Sequence, residues 1–285
     1  MAIILALGVS FGIGWAGSPR RLVDADMYWR TDLSHLYGVG WAFDSYVYPP
    51  PFAQLVALVR PLGWPFFVGV LTFGLFAATA YYGRRWALLG LALGFALWPV
   101  WDSRGVLSAP LVYPVIGNLQ PVLVACVVAG FRWPALWSIP ILTKIGPGIG
   151  VLWFAFRGEW RSFAIALGTT AFVAAVSFVL APGLWWDFAR YATANAGAPP
   201  PIDVMPVPLW VRLPACLVLL WWGARTDRRW VVPIASGFAA LALYTWTWTP
   251  YVVAALWLWT DARSSSKRRN DLDDTATSTV VLRPV

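Results

Sequence analysis

Residues 131–161 read FRWPALWSIPILTKIGPGIGVLWFAFRGEWR, and this stretch decides how the chain is laid out. Its apolar run lies between Arg132 and the pair Arg157 and Arg161, with Lys144-Ile145-Gly146-Pro147-Gly148 at the centre. One simple crossing would put Arg157 and Arg161 on the far side from Arg132, against the tendency of basic residues to stay on the cytoplasmic side. A helix going in, a Gly/Pro break and a half-helix coming back keep all three on one side. Broken backbone at that depth is tolerated only where protein or a water-filled cavity lines it. The expectation is therefore a re-entrant or broken helix around Lys144.

The flanking sequence makes lipid the natural solvent. Of 285 residues, 59% are hydrophobic and only 12% are charged, and the mean hydropathy is +0.64. Soluble domains carry about 25% charged residues, and a domain of this size exposes too much surface to hide so many apolar side chains. Disordered, collagen-like and disulfide-scaffold classes are excluded on the same ground. The excess of Lys and Arg (21) over Asp and Glu (13) gives a net charge of +8. The basic residues come as short clusters between apolar runs, so they mark topology and give no support to nucleic acid as a partner. Cys126 and Cys216 both lie inside apolar runs and read as small core residues.

Expected spans cover 2–17, 64–82, 86–101, 107–130 (interrupted at 114 and 117–121), 162–180, 208–223 and 230–248, with 251–259 closing a last hairpin at Pro250. A short interfacial helix is expected over 52–60, stopped by Pro61-Leu62-Gly63. Residues 20–51 and 182–205 read as outer loops. Basic clusters at 84–85, 132, 157–161, 225–229 and 267–269 then share one side. The fold class is all-α: a polytopic integral membrane bundle of about eight spans in one domain, 1–262, with a polar cytosolic tail over 263–285.

Polar groups kept against the cost of lipid are functional candidates. The outer loop, 18–51, holds Asp24, Asp26, Asp32 and Asp44; a solvated loop whose acids pair with Arg20, Arg21 and Arg30 is the plainer alternative. Asn118 and Gln120 place two carboxamides in an apolar run, where hydrogen bonding between helices competes with ligand contact. Lys144 is one of two lysines and the only charge in its apolar stretch, which suits an anion site beside broken helix ends. An outer acid can serve as general base on an acceptor hydroxyl. A cation at membrane depth can stabilise a phosphate leaving group. Asp24 and Asp26 together leave a divalent ion open; no other cofactor is expected.

At these residues the chain resembles glycosyltransferase family 87, which includes polyprenol-phosphate-mannose-dependent mannosyltransferases. The motifs are Asp24-x-x-x-Tyr28, Tyr48-Pro49-Pro50, Gly117-Asn118-Leu119-Gln120, and Thr143-Lys144-Ile145-Gly146-Pro147 followed by Trp153 and Arg157-Gly158-Glu159-Trp160-Arg161. They cover the chain from about Asp24 to about Pro182. The family more often reads Gly-Gln-x-Asn, so the two carboxamides are exchanged here. The resemblance implies a GT-C helical bundle and an inverting transfer of a hexose, mannose in those relatives, from a polyprenyl-phosphate donor to a lipid or glycan acceptor. The active site would face outward from the plasma membrane. It implies Asp24 as base, with Asp26 second, and Tyr28, Tyr48, Asn118, Gln120 and Lys144 as substrate-binding residues; Arg104 or Arg190 is expected, on charge alone, as a second cation for the phosphate. A carrier or flippase of a lipid-linked substrate and a non-catalytic membrane subunit are the rival readings; the carrier predicts paired broken helices.

Overall fold

The computed structural model describes residues 4, 6–10, 13, 23–37, 46–83, 86, 117–195, 207–240 and 250–264. Among them the secondary structure is all helical, with no strand. The helices are α1 (Val23–Arg30), α2 (Pro50–Val59), α3 (Trp64–Gly83), α4 (Gln120–Ala129), α5 (Ser138–Lys144), α6 (Leu152–Arg157), α7 (Trp160–Leu180), α8 (Pro182–Ala194), α9 (Leu209–Arg225), α10 (Val231–Phe238) and α11 over 250–264.

Local chemistry explains most boundaries. Asp24 and Asp26 sit in the first turn of α1 and Arg30 in its last, matching the helix dipole at both ends. Pro50 and Pro51 open α2, where a missing N–H costs nothing. A single 3-10 turn, Arg60–Leu62, and Gly63 at φ 87° then end it. Gly158, left-handed at φ 73°, closes α6 and lets the Glu159 N–H reach the Phe154 carbonyl at 2.8 Å.

Two described helices are long and apolar enough to cross a bilayer, α3 and α7. They coincide with two of the expected spans. Only 11% of the apolar window of α7 is buried against protein, so nearly all of that helix is free to face lipid. Parts of the expected spans 2–17, 107–130 and 230–248, and all of 86–101 beyond Trp86, lie outside the described residues, as do Arg104, Asp44 and the tail from 265. Residues 182–194, expected as loop, form α8, because Leu184, Phe188 and Tyr191 recur at helical spacing and turn one face inward.

The helix is broken around Lys144, and the stretch forms a hairpin. Its inward leg is the 3-10 turn Pro134–Trp137 followed by α5; its outward leg is the 3-10 stretch Gly146–Val151 followed by α6. The legs run side by side. A side chain at Gly148 would meet Ile141 at 2.5 Å, and one at Gly150 would meet the Trp137 ring at 2.5 Å. A side chain at Gly146 would strike the carbonyl of Ala239, just past α10. Three glycines on alternate residues thus let the returning leg lie against both α5 and α10. By helical rise the legs are about 18 and 21 Å long, short of a hydrocarbon core of about 30 Å.

One end of the bundle collects the basic residues. Arg157 donates to Glu159 at 2.6 Å and to Asp227 at 2.7 Å. Arg229 lies over the Phe131 ring, which in turn packs edge-on against Trp153. This end joins residues 131, 157 and 229, as the charge pattern requires. At the other end, Gln54 of α2 donates to the Ser177 carbonyl near the end of α7. The largest core cluster, around Tyr82, Trp137, Trp153, Phe154 and Tyr251, fills the space on the basic side. A second cluster gathers α1, α2, the start of α3 and Leu119.

Sidedness can be read directly. With Cys126 and Cys216 replaced, Ser34→Cys is expected to react with an impermeant maleimide on intact cells, and Thr226→Cys only after permeabilisation. Both positions are exposed and lie at opposite ends. Labelling of both from the same face would overturn the topology.

Candidate functional site

α1 lies across the end of the bundle opposite Arg157 and Arg229, and its Asp24 points inward. Gly117, at φ 77°, makes room for it: a side chain there would meet Ala25 at 2.6 Å. The next residue, Asn118, donates from Nδ2 to Asp24 Oδ2 at 2.5 Å. The Asn118 Oδ1 accepts the Gln120 backbone N–H at 3.0 Å, an Asx turn at the start of α4. That bond takes up the oxygen of the amide, so the NH2 group is the one left to face Asp24.

Lys144, at the tip of the hairpin, reaches the same place. Its Nζ lies 5.3 Å from the centre of the Tyr48 ring. Tyr48 packs against the fully buried Tyr28, with ring centroids 5.9 Å apart and hydroxyls 3.5 Å apart. Lys144 and Asp24 are too far apart for an ion pair, yet the lysine charge acts on the carboxylate. Burial raises the Asp24 carboxyl above its ordinary value; Lys144 and the Asn118 amide pull it back only partly. Burial likewise pushes the Tyr28 phenol well up, so it stays a neutral hydrogen-bonding group.

Five expected residues, Asp24, Tyr28, Tyr48, Asn118 and Lys144, therefore converge from four separate segments. The other described candidates go elsewhere. Asp26 is two residues from Asp24 on a helix and faces away from it, paired with Arg30 at 2.8 Å. The two carboxylates consequently cannot share one ion, and among the described residues no group of three or more His, Cys, Asp or Glu could hold a metal. Gln120 is 1% exposed and accepts from the Tyr251 hydroxyl at 3.0 Å, inside the bundle. Arg190 pairs with Asp187 at 2.7 Å on the exposed face of α8. There it lines an open groove of about 500 Å³ with Gly183, Trp186, Ala189 and Thr193. Asp32 accepts from both the N–H and the hydroxyl of Ser34, which holds its carboxyl below the usual range. It is a solvated turn residue.

At the tip of the hairpin Lys144 does not stand alone: it meets the segment before α2 at Tyr48. Tyr251 escaped notice in the sequence; its only mark there is a polar ring beside Pro250 in an apolar run.

The chain matches no family model, no curated protein and no solved structure. The resemblance to glycosyltransferase family 87 rests on the motif residues themselves.

Proposed function

We propose that the protein is a polytopic glycosyltransferase of the plasma membrane, of about eight spans, with its active site on the outer face. It transfers a hexose, mannose by the family resemblance, from a polyprenyl-phosphate donor to a lipid or glycan acceptor. The observation that carries this reading is the meeting of Asp24, Asn118 and Lys144: an acid and a cation brought to one place without pairing directly.

On this reading the donor phosphate lies beside Lys144 and the acceptor hydroxyl beside Asp24. Asp24 takes the hydroxyl proton as the acceptor oxygen forms its bond to the anomeric carbon. The anomeric carbon–oxygen bond to phosphate breaks on the opposite face, which inverts the configuration. The electron pair leaves with the prenyl phosphate, whose charge Lys144 stabilises. The tyrosines 28 and 48 form an aromatic wall beside the lysine.

A carrier of the same lipid draws on one further observation, the contact between the hairpin at Gly146 and the end of the short α10 at Ala239. One experiment separates the two. Purified protein is given radiolabelled polyprenyl-phosphate mannose and membrane lipid extract in detergent. The transferase yields a labelled product resistant to the mild acid that cleaves the donor. A carrier yields none, and moves the donor across vesicles instead.

A further inference from the structure

We propose that Tyr251 is a positioning residue for Asp24, acting through Gln120 and Asn118; this deepens the transferase reading and rests on Asp24 as its base. Three hydrogen bonds, linked through Gln120 itself, join them. The Tyr251 hydroxyl donates to the side-chain Gln120 Oε1 at 3.0 Å, the Gln120 backbone N–H donates to Asn118 Oδ1 at 3.0 Å, and Asn118 Nδ2 donates to Asp24 Oδ2 at 2.5 Å.

The direction of each bond matters. The phenol spends its proton on Gln120, which fixes that amide with its oxygen toward α11. Gln120 is the first residue of α4, so holding its side chain holds the turn whose N–H orients Asn118. Asn118 is thereby left with only its NH2 group for Asp24, a donor that favours the charged carboxylate. Gln120 and Tyr251 are both fully buried, so water cannot replace either partner cheaply. Among the described residues the Gln120 Nε2 has no hydrogen-bond partner, and the Tyr251 bond is the side chain's hold on the bundle. The exchanged order of the two carboxamides has a purpose on this account. The short Asn reaches back to Asp24, and the longer Gln reaches across to α11.

The charged and titratable groups facing Asp24 among the described residues are Lys144 from α5 and Tyr28 from its own helix. Neither is touched by Tyr251→Phe, which also keeps the ring packed against Gly237. The test is an infrared pH titration of the Asp24 carboxyl in the purified full chain, with its band assigned by loss in Asp24→Asn. Tyr251→Phe is expected to raise the Asp24 midpoint by about half a pH unit, a roughly threefold change in proton affinity. Asn118→Ala should raise it at least as much, and the double variant no further. In the transferase assay the acid limb should move by the same amount at unchanged donor KM. Should Tyr251→Phe not fold, Gln120→Met removes the acceptor, keeps the backbone N–H and must give the same shift. An Asp24 midpoint that stays put in these variants while Asn118→Ala moves it overturns the proposal. The titration needs no substrate, so a wild-type protein with no transferase activity overturns the functional reading and leaves the hydrogen-bond line measured on its own.

Discussion

Lys144→Met is expected to abolish donor-dependent transfer while leaving the protein at least as stable in detergent. Removing one donor that stabilises developing negative charge typically costs about 10²- to 10³-fold in rate, and a full cation on a leaving phosphate falls at or above that range. The stability side can be weighed. A lysine held within a bilayer costs up to about 2.5–3.5 kcal/mol on insertion scales, the most at its centre. Its position over Tyr48 gives back about 0.5–2 kcal/mol. Methionine keeps the bulk and drops the charge, so the balance is neutral or favourable. Thermal unfolding and binding of a labelled prenyl phosphate, measured side by side, check both halves. If Lys144→Met instead unfolds the protein, and Asp24→Asn in the same chain restores it, the lysine is a structural counter-charge and the donor site is lost.

Asp24→Asn should lower the rate by about 10²- to 10⁴-fold, the usual contribution of a general base, with folding retained. Asp26→Asn should change little, because its partner Arg30 is exposed and a pair four residues apart on a surface helix is worth only a few tenths of a kcal/mol. The pH dependence follows from the sign of the Asp24 shift. Its carboxyl is raised in the folded protein, and only the ionised form is a base. The rate should therefore climb with pH through a midpoint above the ordinary carboxylate value of about 4. The same shift means the folded state holds this proton more tightly than the unfolded one. Its stabilising contribution is complete below the ordinary value and is lost as pH rises through the raised one. Asp24→Asn should accordingly gain stability at neutral pH. Full activity in Asp24→Asn together with loss in Asp26→Asn would move the base to the second carboxylate.

Much of the arrangement could be read from residues alone, because membranes make charge placement nearly digital. Arg132 and Arg157 flanking a Gly/Pro break sufficed for the hairpin. The isolated Lys144 and the motif order brought Asp24, Tyr48 and Asn118 into view. What stayed hidden depended on local conformation or on long range. Reading 20–51 as loop concealed that α1 is helical, and only the helix sends Asp24 and Asp26 to different sides. The Pro-Gly start of residues 182–194 masked the inward stripe of α8. Tyr251 is joined to Gln120 across most of the chain, and no spacing rule reaches that far.

The glycines of the hairpin carry a consequence for biogenesis. Gly146 rests on the backbone at Ala239, and Gly150 lies against the hydroxyl of Ser236. Both partners belong to a segment that leaves the ribosome long after the hairpin itself. The returning leg must therefore wait, with one flank bare, until the last third of the chain is made. The lysine at the tip waits with it, so assembly of the site is among the closing steps of folding, and a nascent chain stopped before residue 231 carries every motif residue without the segment that packs against the hairpin.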